Sequence, residues 1–561
     1  MQSTMQDSDL TLLAILRGLE QSFGDGEVLT CVNEEGDTDR LPYSQLVKQS
    51  ARLANVLASL GVAKGERIGT LAWNSSDHLT AYLAIPCSGA VMHTLNLRIG
   101  AEQLAWTITH AGDRILLCDN SLQSKLVEVI ADIPTVEAVI TIGEVTDGTR
   151  TAITGAGKRW IDYSSAMAEV SECFSWPNLD EKHAAAICYT SGTTGKPKGV
   201  AYSHRSAYLH ALAVCSGNSA GLNSNDTVLT LVPMFHVNAW GFPYAAMMSG
   251  ANLLLPHRFI RPTTLARLIS QVKPTVAGAV PTVFSDLLYW LREHEGYDLS
   301  SLRRVICGGA AVPPTLIEAF ASEHQVTITQ GWGMTETSPL VCVADPPHHA
   351  GDDAARYRSY AGRILFGTLG RIVDDANATC PNDGTTVGEL QVSGPWIAAG
   401  YVGGEGSDSF LTDEDGTVWL RTGDIGTLDE LGYVKLTDRA KDVIKSGGEW
   451  ISSLALETAL VAHPDVAEAA VIGVPDERWS ERPLAVIVPR TGAAPTINEL
   501  HGFLAGQLER WWLPERWTFV ETIQRTGTGK LDKLSLRNSY ANGELAIRLA
   551  HNESSTNSLS S

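Results

Sequence analysis

The chain has 561 residues, of which 44% are hydrophobic and 19% charged, so it is long enough to form several domains with large buried cores. It contains 42 Lys and Arg residues against 63 Asp and Glu residues, and its formal net charge is −21. A surface this acidic does not attract nucleic acid or anionic lipid, so a polyphosphate site would have to concentrate positive charge locally. The nine cysteines form no CxxC pair and no zinc-type cluster, which indicates a reducing, cytoplasmic setting.

The N-terminal segment MQSTMQDSDL has no features of a signal peptide, and no apolar run reaches the length that spans a membrane. Apolar residues at helical spacing predict a helix over Pro42–Leu60, which Gly61 ends. From there to about Gly394, short apolar segments without polar alternation are separated by segments of helical length. This arrangement predicts parallel α/β sheets covered on both faces, with buried strands at residues 114–119, 138–141, 184–190, 227–233, 275–280 and 304–309.

Between about Gly384 and Tyr433 the strands become shorter and are separated by Gly and Asp turns, which predicts a small β-rich subdomain. An α+β unit follows, with helices predicted at Ser453–Ala462 and 497–508 and strands at 467–476 and 483–489. The last dozen residues are polar and Ser-rich, as in a disordered tail. The predicted fold class is therefore α/β, with a large N-terminal part and a small α+β C-terminal domain.

The segment Tyr189–Val200, YTSGTTGKPKGV, follows a predicted buried strand and combines three glycines, the hydroxyl side chains of Ser191, Thr193 and Thr194, and two lysines. Glycines let backbone N–H groups approach an anion, hydroxyls donate hydrogen bonds, and lysines neutralise charge, so the segment predicts a phosphate-binding loop. It is not a Walker A loop, because Pro197 stands where Ser or Thr is required. The alternative is a flexible surface turn.

This loop resembles the phosphate-binding loop of the acyl-adenylate-forming superfamily, and further motifs of that superfamily recur in order along the chain. They are PMFHVNAWG around His236, CGGA at 307–310, GWGMTE at 331–336, RTGD at 421–424, DRAKDVIKSGGEWIS at 438–452 and TGTGK at 526–530. The motif variants are most similar to the medium- and long-chain fatty acyl-CoA synthetase branch. The resemblance implies an enzyme that uses ATP and Mg²⁺ to make an acyl-adenylate and then transfers the acyl group to coenzyme A (CoA).

The resemblance also implies functional residues. The residues that the resemblance assigns to ATP or AMP binding are Thr190, Ser191, Gly192, Thr193, Thr194, Gly195, Lys198, Gly309, Ala310, Gly331, Trp332, Gly333, Met334, Thr335, Asp424 and Arg439. Trp332 would stack on adenine, Asp424 would bind the ribose hydroxyls, and Glu336 would hold Mg²⁺, which usually takes one or two protein carboxylates. As catalytic residues it implies Lys530, Glu336, Thr335 and His236.

For the second half-reaction, the resemblance implies that a C-terminal domain rotates about a hinge at Lys441. The CoA-facing residues would be Lys445, Gly447, Gly448, Glu449 and Trp450. The implied domains are residues 1–437, with a β-rich subdomain at about 384–437, a hinge at 438–445, a mobile domain at 446–550 and a tail at 551–561.

The acyl pocket is implied at His236, Val237, Trp240 and Gly308. Trp240 would wall an alkyl channel, whereas His236 is equally compatible with a hydrogen-bonded core histidine. The apolar surroundings contain no acidic partner for an amino group, which favours a fatty acid or a short apolar acid such as 3-methylmercaptopropionate. The sequence leaves the chain length of the acid and the oligomeric state open, a homodimer included.

Several alternatives stay open. An acyl-AMP ligase or a luciferase-like enzyme would share the adenylation motifs, and a non-catalytic nucleotide- or acyl-binding protein is a more remote reading. Residues 217–221, GNSAG, formally match the GxSxG elbow of serine hydrolases, but they follow a helical run rather than a strand. A serine hydrolase is therefore not expected.

Overall fold

A computed structural model of the chain describes residues 3–190, 196–446, 449–525 and 531–550, with only the backbone of Glu449 and Trp450 described. Within these residues the chain divides into two compact units. The first contains residues 3–190, 196–369 and 392–420. The second contains residues 370–391, 421–446, 449–525 and 531–550.

Strands and helices alternate through most of the first unit, and the strands of both units are numbered together in chain order. In chain order the strands are β1 (Glu27–Cys31), β2 (Thr38–Pro42), β3 (Arg67–Leu71), β4 (Val91–Thr94), β5 (Asp113–Asp119), β6 (Ala138–Ile142), β7 (Arg159–Asp162), β8 (Ala184–Tyr189), β9 (Gly199–Ser203), β10 (Thr227–Thr230), β11 (Asn252–Leu255), β12 (Val276–Ala279), β13 (Arg304–Gly308), β14 (Ile328–Gly333), β15 (Leu340–Val343), β16 (Gly362–Ile364), β17 (Leu369–Val373), β18 (Gly388–Ser393), β19 (Phe410–Thr412), β20 (Val418–Leu428), β21 (Tyr433–Arg439), β22 (Ile444–Ser446), β23 (Glu449–Ile451), β24 (Val466–Asp476), β25 (Ser480–Pro489), β26 (Arg516–Phe519) and β27 (Arg548–Leu549).

The helical segments are α1 (Leu12–Gln21), α2 (Tyr43–Ser59), α3 (Ser76–Cys87), α4 (Ala101–Ala111), α5 (Gln123–Val129), α6 (Asp147–Gly155), α7 (Tyr163–Ala168), α8 (His204–Cys215), α9 (Val237–Trp240), α10 (Phe242–Ser249), α11 (Pro262–Val272), α12 (Pro281–Glu293), α13 (Pro314–Glu323), α14 (Ala354–Arg358), α15 (Ser453–Val461), α16 (Ile497–Ala505) and α17 (Lys533–Ala541). All of them are right-handed except α9, a single left-handed turn. Among the described residues, no helix is long and apolar enough to cross a membrane.

One sheet of the first unit has the strand order β7-β6-β5-β3-β4-β8-β9. Its strands are parallel except β9, which pairs antiparallel with β8. The inner strands are buried almost throughout, which explains why their sequences lack polar alternation. The β8–β9 pair lies on either side of the predicted phosphate loop, so this sheet fixes both ends of that loop.

A second sheet in the first unit has the order β16-β15-β14-β13-β12-β10-β11-β1-β2. Strands β1 and β10–β14 are parallel, and β2, β15 and β16 are antiparallel to their neighbours. The carboxyl ends of parallel strands meet at one sheet edge, where ligands bind in open α/β sheets. The chain leaves β10 toward His236, β13 toward Gly309 and β14 toward Glu336, so this edge receives three of the predicted motifs.

In the second unit, β17, β18, β20 and β21 are neighbours in that order, and β21 pairs antiparallel with β20. A separate sheet has the order β23-β22-β25-β26-β27, and β24 pairs antiparallel with β25. The helices α15 and α16 contribute Leu456, Leu460, Leu500 and Leu504 to a core built around the fully buried Trp517.

The predicted α/β fold class is confirmed. The helix predicted at Pro42–Leu60 is α2, and each predicted strand coincides with an observed one to within a few residues. The strand predicted at residues 227–233 ends earlier, at Thr230, because the N–H groups of Leu231 and Val232 both turn to the carbonyl of Gly278. All nine cysteines are free thiols, and Cys188 and Cys307 are buried. The predicted tail at 551–561 lies outside the described residues.

Candidate active site

The two ends of the predicted phosphate loop are bonded to each other. The N–H of Thr190 donates to the carbonyl of Lys198 at 2.9 Å, and the N–H of Lys198 donates to Oγ1 of Thr190 at 3.1 Å. Below them, Tyr189 and Gly199 are cross-strand partners, and a Cβ on Gly199 would lie only 3.0 Å from the Tyr189 ring. The loop therefore has a fixed base, while residues 191–195 lie outside the described residues.

A cation, an aromatic ring and a carboxylate follow one another beside this base. Nζ of Lys198 lies 4.8 Å from the centre of the Tyr401 ring. The Tyr401 hydroxyl donates to Oε1 of Glu336 at 2.6 Å. Burial, with the Glu336 charge as a second cause, raises the pKa of Tyr401, so its hydroxyl stays protonated and donates throughout the working range of pH.

Tyr401 was not predicted as a site residue, because it lies in an irregular segment between β18 and β19 and outside every recognised motif. Its only sequence signal is an aromatic residue after Gly400 in a loop, which is too common to be specific. The contact with Glu336 is thus a finding of the structure.

The segment from Gly331 to Glu336 leaves β14 and enters a single 3-10 turn at Thr335–Thr337. Thr335 and Glu336 are buried, and the Thr335 carbonyl accepts a 2.6 Å hydrogen bond from the Tyr202 hydroxyl. A Cβ on Gly333 would lie 1.9 Å from the carbonyl oxygen of Pro339, so this position requires glycine. Trp332 and Met334 are partly exposed beside it.

The segment after β10 adopts the left-handed turn α9. Val237, Asn238, Ala239 and Trp240 have φ between 47° and 56°, and Gly241 follows at 71°. Such a conformation costs non-glycine residues roughly 1–2 kcal/mol each, and a β-branched residue such as Val237 more. The turn therefore depends on tertiary contacts.

Three buried groups provide those contacts. Oδ1 of Asn238 accepts a hydrogen bond from the Cys188 thiol at 3.4 Å, and it lies 3.5 Å from the Tyr82 hydroxyl, which donates its proton to the Met234 carbonyl just before the turn. On the other side, the His210 ring lies so close to Gly241 that an added Cβ would be 2.6 Å from Nδ1. Nε2 of His210 accepts the Leu340 N–H at 3.0 Å, which connects the turn to the start of β15.

The turn brings Trp240 against the end of β13. A Cβ on Gly308 would lie 2.4 Å from the Gly331 carbonyl oxygen and 3.4 Å from Cη2 of Trp240, and one on Gly309 would lie 3.8 Å from Cζ2. Trp240, Gly308 and Gly309 are thus in one place, as the motifs require. His236 is half-buried, whereas Val237 is buried in the core of the unit.

The second unit holds Asp424 and Arg439 as direct cross-strand partners on β20 and β21. Nε of Arg439 lies 2.7 Å from Oδ1 of Asp424, whose side chain is buried. The two residues assigned to ribose and phosphate binding therefore form one ion pair. Ala310, in contrast, is exposed in the first unit after β13.

Lys441 lies in a tight turn just after β21, where the N–H groups of Asp442 and Val443 both donate to the Arg439 carbonyl. Burial lowers the pKa of Lys441. Lys445 is exposed on β22, and Glu449 and Trp450 continue into β23 with only their backbone described. Gly447, Gly448 and Lys530 lie outside the described residues.

The described residues fit a Mg²⁺ ion only in a limited way. No cluster of three or more His, Cys, Asp or Glu side chains able to hold a metal occurs among them. Glu336 is a single buried carboxylate, and Mg²⁺ commonly combines one such carboxylate with water and substrate phosphates. The donor set therefore suits a metal that arrives with a nucleotide.

The GNSAG segment is not a nucleophile elbow. It follows helix α8, and Ser219 is fully buried. The segment therefore lacks the strand–turn–helix context that the GxSxG motif requires.

The parallel sheets, the glycine-containing loop between β8 and β9 and the strand-end motifs together define a nucleotide-binding α/β enzyme. Residues 20–402 match the family described as AMP-binding enzyme, and residues 455–530 match the AMP-binding enzyme C-terminal domain. The chain belongs to the AMP-binding enzyme family, and the predicted family is confirmed.

Two curated relatives and one solved structure illustrate the similarity. A 3-methylmercaptopropionyl-CoA ligase of Ruegeria pomeroyi is 40% identical over 91% of this chain and 93% of its own length. A long-chain-fatty-acid–CoA ligase of Thermus thermophilus is 39% identical over 96% and 97%. The crystal structure of the anthranilate CoA ligase AuaEII with anthranoyl-AMP covers 97% of this chain and 100% of its own, with a TM-score of 0.84 and 24% identity, and it supports the fold.

Proposed function

We propose that this chain is an ATP-dependent acyl-CoA synthetase, an acid–thiol ligase that forms AMP. It converts a carboxylic acid, ATP and CoA to acyl-CoA, AMP and diphosphate through an acyl-adenylate. The observation that supports this most strongly is the similarity to CoA ligases at 39–40% identity over more than nine-tenths of the chain. The matches to the AMP-binding enzyme family and to its C-terminal domain are consistent with it.

In the first half-reaction a carboxylate attacks the α-phosphate, and both groups are negatively charged. The site must therefore neutralise charge and align the reactants. We assign Lys198, Thr335 and the loop at residues 190–195 to the phosphates, and Trp332 with Gly309 and Ala310 to the adenine. Mg²⁺, held by Glu336 when bound, would supply further neutralisation of the phosphate charge.

The Asp424–Arg439 pair supports a role in holding the ribose. A buried carboxylate accepts hydrogen bonds from two vicinal hydroxyls, and the adjacent guanidinium fixes the orientation of that carboxylate. Lys530 is proposed as the cation that reaches the carboxylate and the α-phosphate during adenylation, by family resemblance.

In the second half-reaction the CoA thiol attacks the adenylate carbonyl. We propose that the C-terminal domain rotates about Lys441 between the steps and brings a different surface to the site. That surface contains Lys445, Gly447, Gly448, Glu449 and Trp450.

For the acid we propose a medium- or long-chain fatty acid, or a related short apolar acid such as 3-methylmercaptopropionate. The segment PMFHVNAWGFPYA contains no acidic residue, so an ammonium group would lack a partner there. Trp240 lies beside Gly308 and Gly309, where its indole would form one wall of an apolar channel. A homodimer and a cytoplasmic location stay predictions, to be checked by light scattering and cell fractionation.

The deciding experiment measures AMP formation from ATP and Mg²⁺ with a panel of acids, with and without CoA. The panel includes saturated fatty acids of increasing length, 3-methylmercaptopropionate, aryl acids and amino acids. We expect acid-dependent AMP formation that rises strongly with CoA and peaks on an apolar acid. AMP formation that does not respond to CoA would indicate an acyl-AMP ligase or a luciferase-like enzyme instead, and no turnover would indicate a binding protein.

A further inference from the structure

The turn at Lys441 receives two hydrogen bonds from a helix that is almost a hundred residues further along the chain. Nη2 of Arg537, on α17, donates to the Lys441 carbonyl oxygen at 3.2 Å and to the Asp442 carboxylate at 2.7 Å. The N–H groups of Asp442 and Val443 donate to the Arg439 carbonyl at 2.8 Å each. Arg537 thus holds the turn at its central peptide.

The hydrogen bond to the Lys441 carbonyl depends on the backbone conformation of Lys441. Because the peptide unit is planar, the direction of this carbonyl and of the Asp442 N–H is set by one torsion, ψ of Lys441. A rotation at Lys441 turns the carbonyl away from Arg537 and moves the Asp442 N–H away from Arg439. The Arg537 bonds are therefore specific to the Lys441 conformation in this structure.

Helix α17 is a firm base for Arg537, because its first residue is tied to α15. Nζ of Lys533 lies 2.7 Å from Oε1 of Glu457 and donates to Oγ of Ser453 at 2.7 Å. The Lys533 and Glu457 side chains are each 13% exposed, so solvent screens this pair only weakly. Arg537 is thus carried by a helix that is anchored to α15, so its position relative to the C-terminal domain is fixed.

We propose that Arg537 is a positioning residue for the hinge, one that stabilises the present conformation of Lys441 and so favours one of the two domain orientations. The inference rests on the proposed function, in which Lys441 is the hinge between two half-reactions. It adds a residue outside the hinge motif that sets the balance between them. Arg537 touches neither substrate nor nucleotide in this role; it acts through the Lys441–Asp442 peptide.

The test compares Arg537→Gln with a control that removes an ion pair of similar exposure elsewhere in the same unit. Arg516 pairs with Asp476 at 2.9 Å, and their side chains are 22% and 14% exposed, against 29% and 12% for Arg537 and Asp442. Two rates are measured for each variant: ATP–pyrophosphate exchange, and thioester formation from supplied acyl-AMP and CoA.

We expect Arg537→Gln to change the ratio of the two rates about fivefold, the scale of a partly exposed charge-assisted hydrogen bond. Arg516→Gln should leave the ratio within about twofold of wild type, because Arg516 pairs with Asp476, away from the Lys441 turn, and Arg537→Lys should recover part of the difference. Equal loss of both rates, or no change, would overturn the inference. If Arg537→Gln does not fold, Asp442→Asn weakens the same contact and should shift the ratio in the same direction by less, since it removes the carboxylate charge that holds Arg537 and keeps the side-chain size.

Hydrogen exchange gives a readout that does not depend on turnover. In Arg537→Gln the amides of Asp442 and Val443 should exchange faster, while Arg516→Gln leaves them unchanged; protection equal to wild type in both variants would contradict the proposal. A wild-type chain that adenylates but forms no thioester would overturn the proposed function and this inference together. A wild type active in both steps with an unchanged ratio in Arg537→Gln overturns the inference alone.

Discussion

Glu336 is the residue on which the proposed adenylation chemistry depends most directly, and its orientation is set by Tyr401. The hydroxyl of Tyr401 donates to one carboxylate oxygen at 2.6 Å, and Lys198 lies over the face of the same ring. A charge-assisted hydrogen bond of this kind contributes about 1.5–3 kcal/mol when its partners are buried. This hydrogen bond from Tyr401 restricts the rotamers of the Glu336 side chain and so orients its carboxylate.

Replacing Tyr401 by Phe should reduce the rate of ATP–pyrophosphate exchange about tenfold at low Mg²⁺. The reason is that Glu336 loses the donor that holds it in place, and a loss of about 1.4 kcal/mol corresponds to a factor of ten. The measurement is the exchange rate as a function of Mg²⁺ concentration, and higher Mg²⁺ should restore part of the rate.

The control for this prediction is Tyr43→Phe. Tyr43 is fully buried, and its hydroxyl donates to the carbonyl of Ala251, away from the site. This variant should lose stability without shifting the Mg²⁺ dependence. The same Mg²⁺ curve for Tyr401→Phe and wild type would refute the orienting role of Tyr401.

Among the elements, the left-handed turn α9 is the one whose shape contradicts local preference. Five successive residues with positive φ are stable here because Tyr82 bonds to the Met234 carbonyl, because Cys188 bonds to Asn238, and because His210 packs on Gly241. The turn places Trp240 against Gly308 and so shapes the proposed acyl pocket. The geometry of the pocket therefore depends on residues that do not line it.

Gly241→Ala tests this dependence. The φ of 71° at this position is unfavourable for alanine, and the new methyl group would lie 2.6 Å from Nδ1 of His210. We expect a loss of about 3 kcal/mol in unfolding free energy, from the backbone conformation and overpacking together, and a change in preferred acyl chain length. Denaturant unfolding and a chain-length profile measure the two effects.

Gly157→Ala is the matched control, since Gly157 has φ 75° and no atom within 4 Å of an added Cβ. It should lose only about 1 kcal/mol, the cost of the backbone conformation, and keep the chain-length profile. Equal losses in the two variants would show that His210 does not hold the turn.

The sequence predicted the fold well where burial alone determines structure. Residues 115–118 and 138–140 are apolar throughout, and a short, fully apolar segment between helices has few alternatives to a buried parallel strand. The predicted family is likewise confirmed, because its motifs occur in order over most of the chain.

Features that depend on distant contacts were not predictable. The segment HVNAW contains Val and Trp, which disfavour positive φ. Its left-handed conformation therefore follows from contacts with His210 and Tyr82 rather than from local sequence preference. Tyr401 and Arg537 act through partners 65 and 95 residues away in sequence. The roles of Lys530 and of the Gly447–Gly448 pair stay predictions.

At the scale of the whole molecule, stability depends on histidines that are buried without charge. His78, His204 and His210 are each about 1% exposed. Burial lowers the pKa of His78 and of His204 to about 4 and that of His210 to about 3, from 6.5. In the unfolded chain these rings are in water and take up protons near pH 6.5, so protonation favours unfolding.

The sign follows from the depressed pKa values. Stability from these groups is fully present above pH 6.5 and is lost as pH falls from 6.5 toward 4, where only the unfolded state binds the protons. Between pH 7.5 and 5.5 each histidine should remove about 1.4 kcal/mol of unfolding free energy, about 4 kcal/mol for the three. Urea unfolding at a series of pH values measures the slope.

His210→Gln, whose side-chain oxygen still accepts the Leu340 N–H, should reduce the loss by about one-third, because it removes one of three titrating groups. His294→Gln, at an exposed position, is the control that removes a histidine without opening a buried site. If both variants keep the wild-type slope, His210 is not the buried neutral group that the structure indicates.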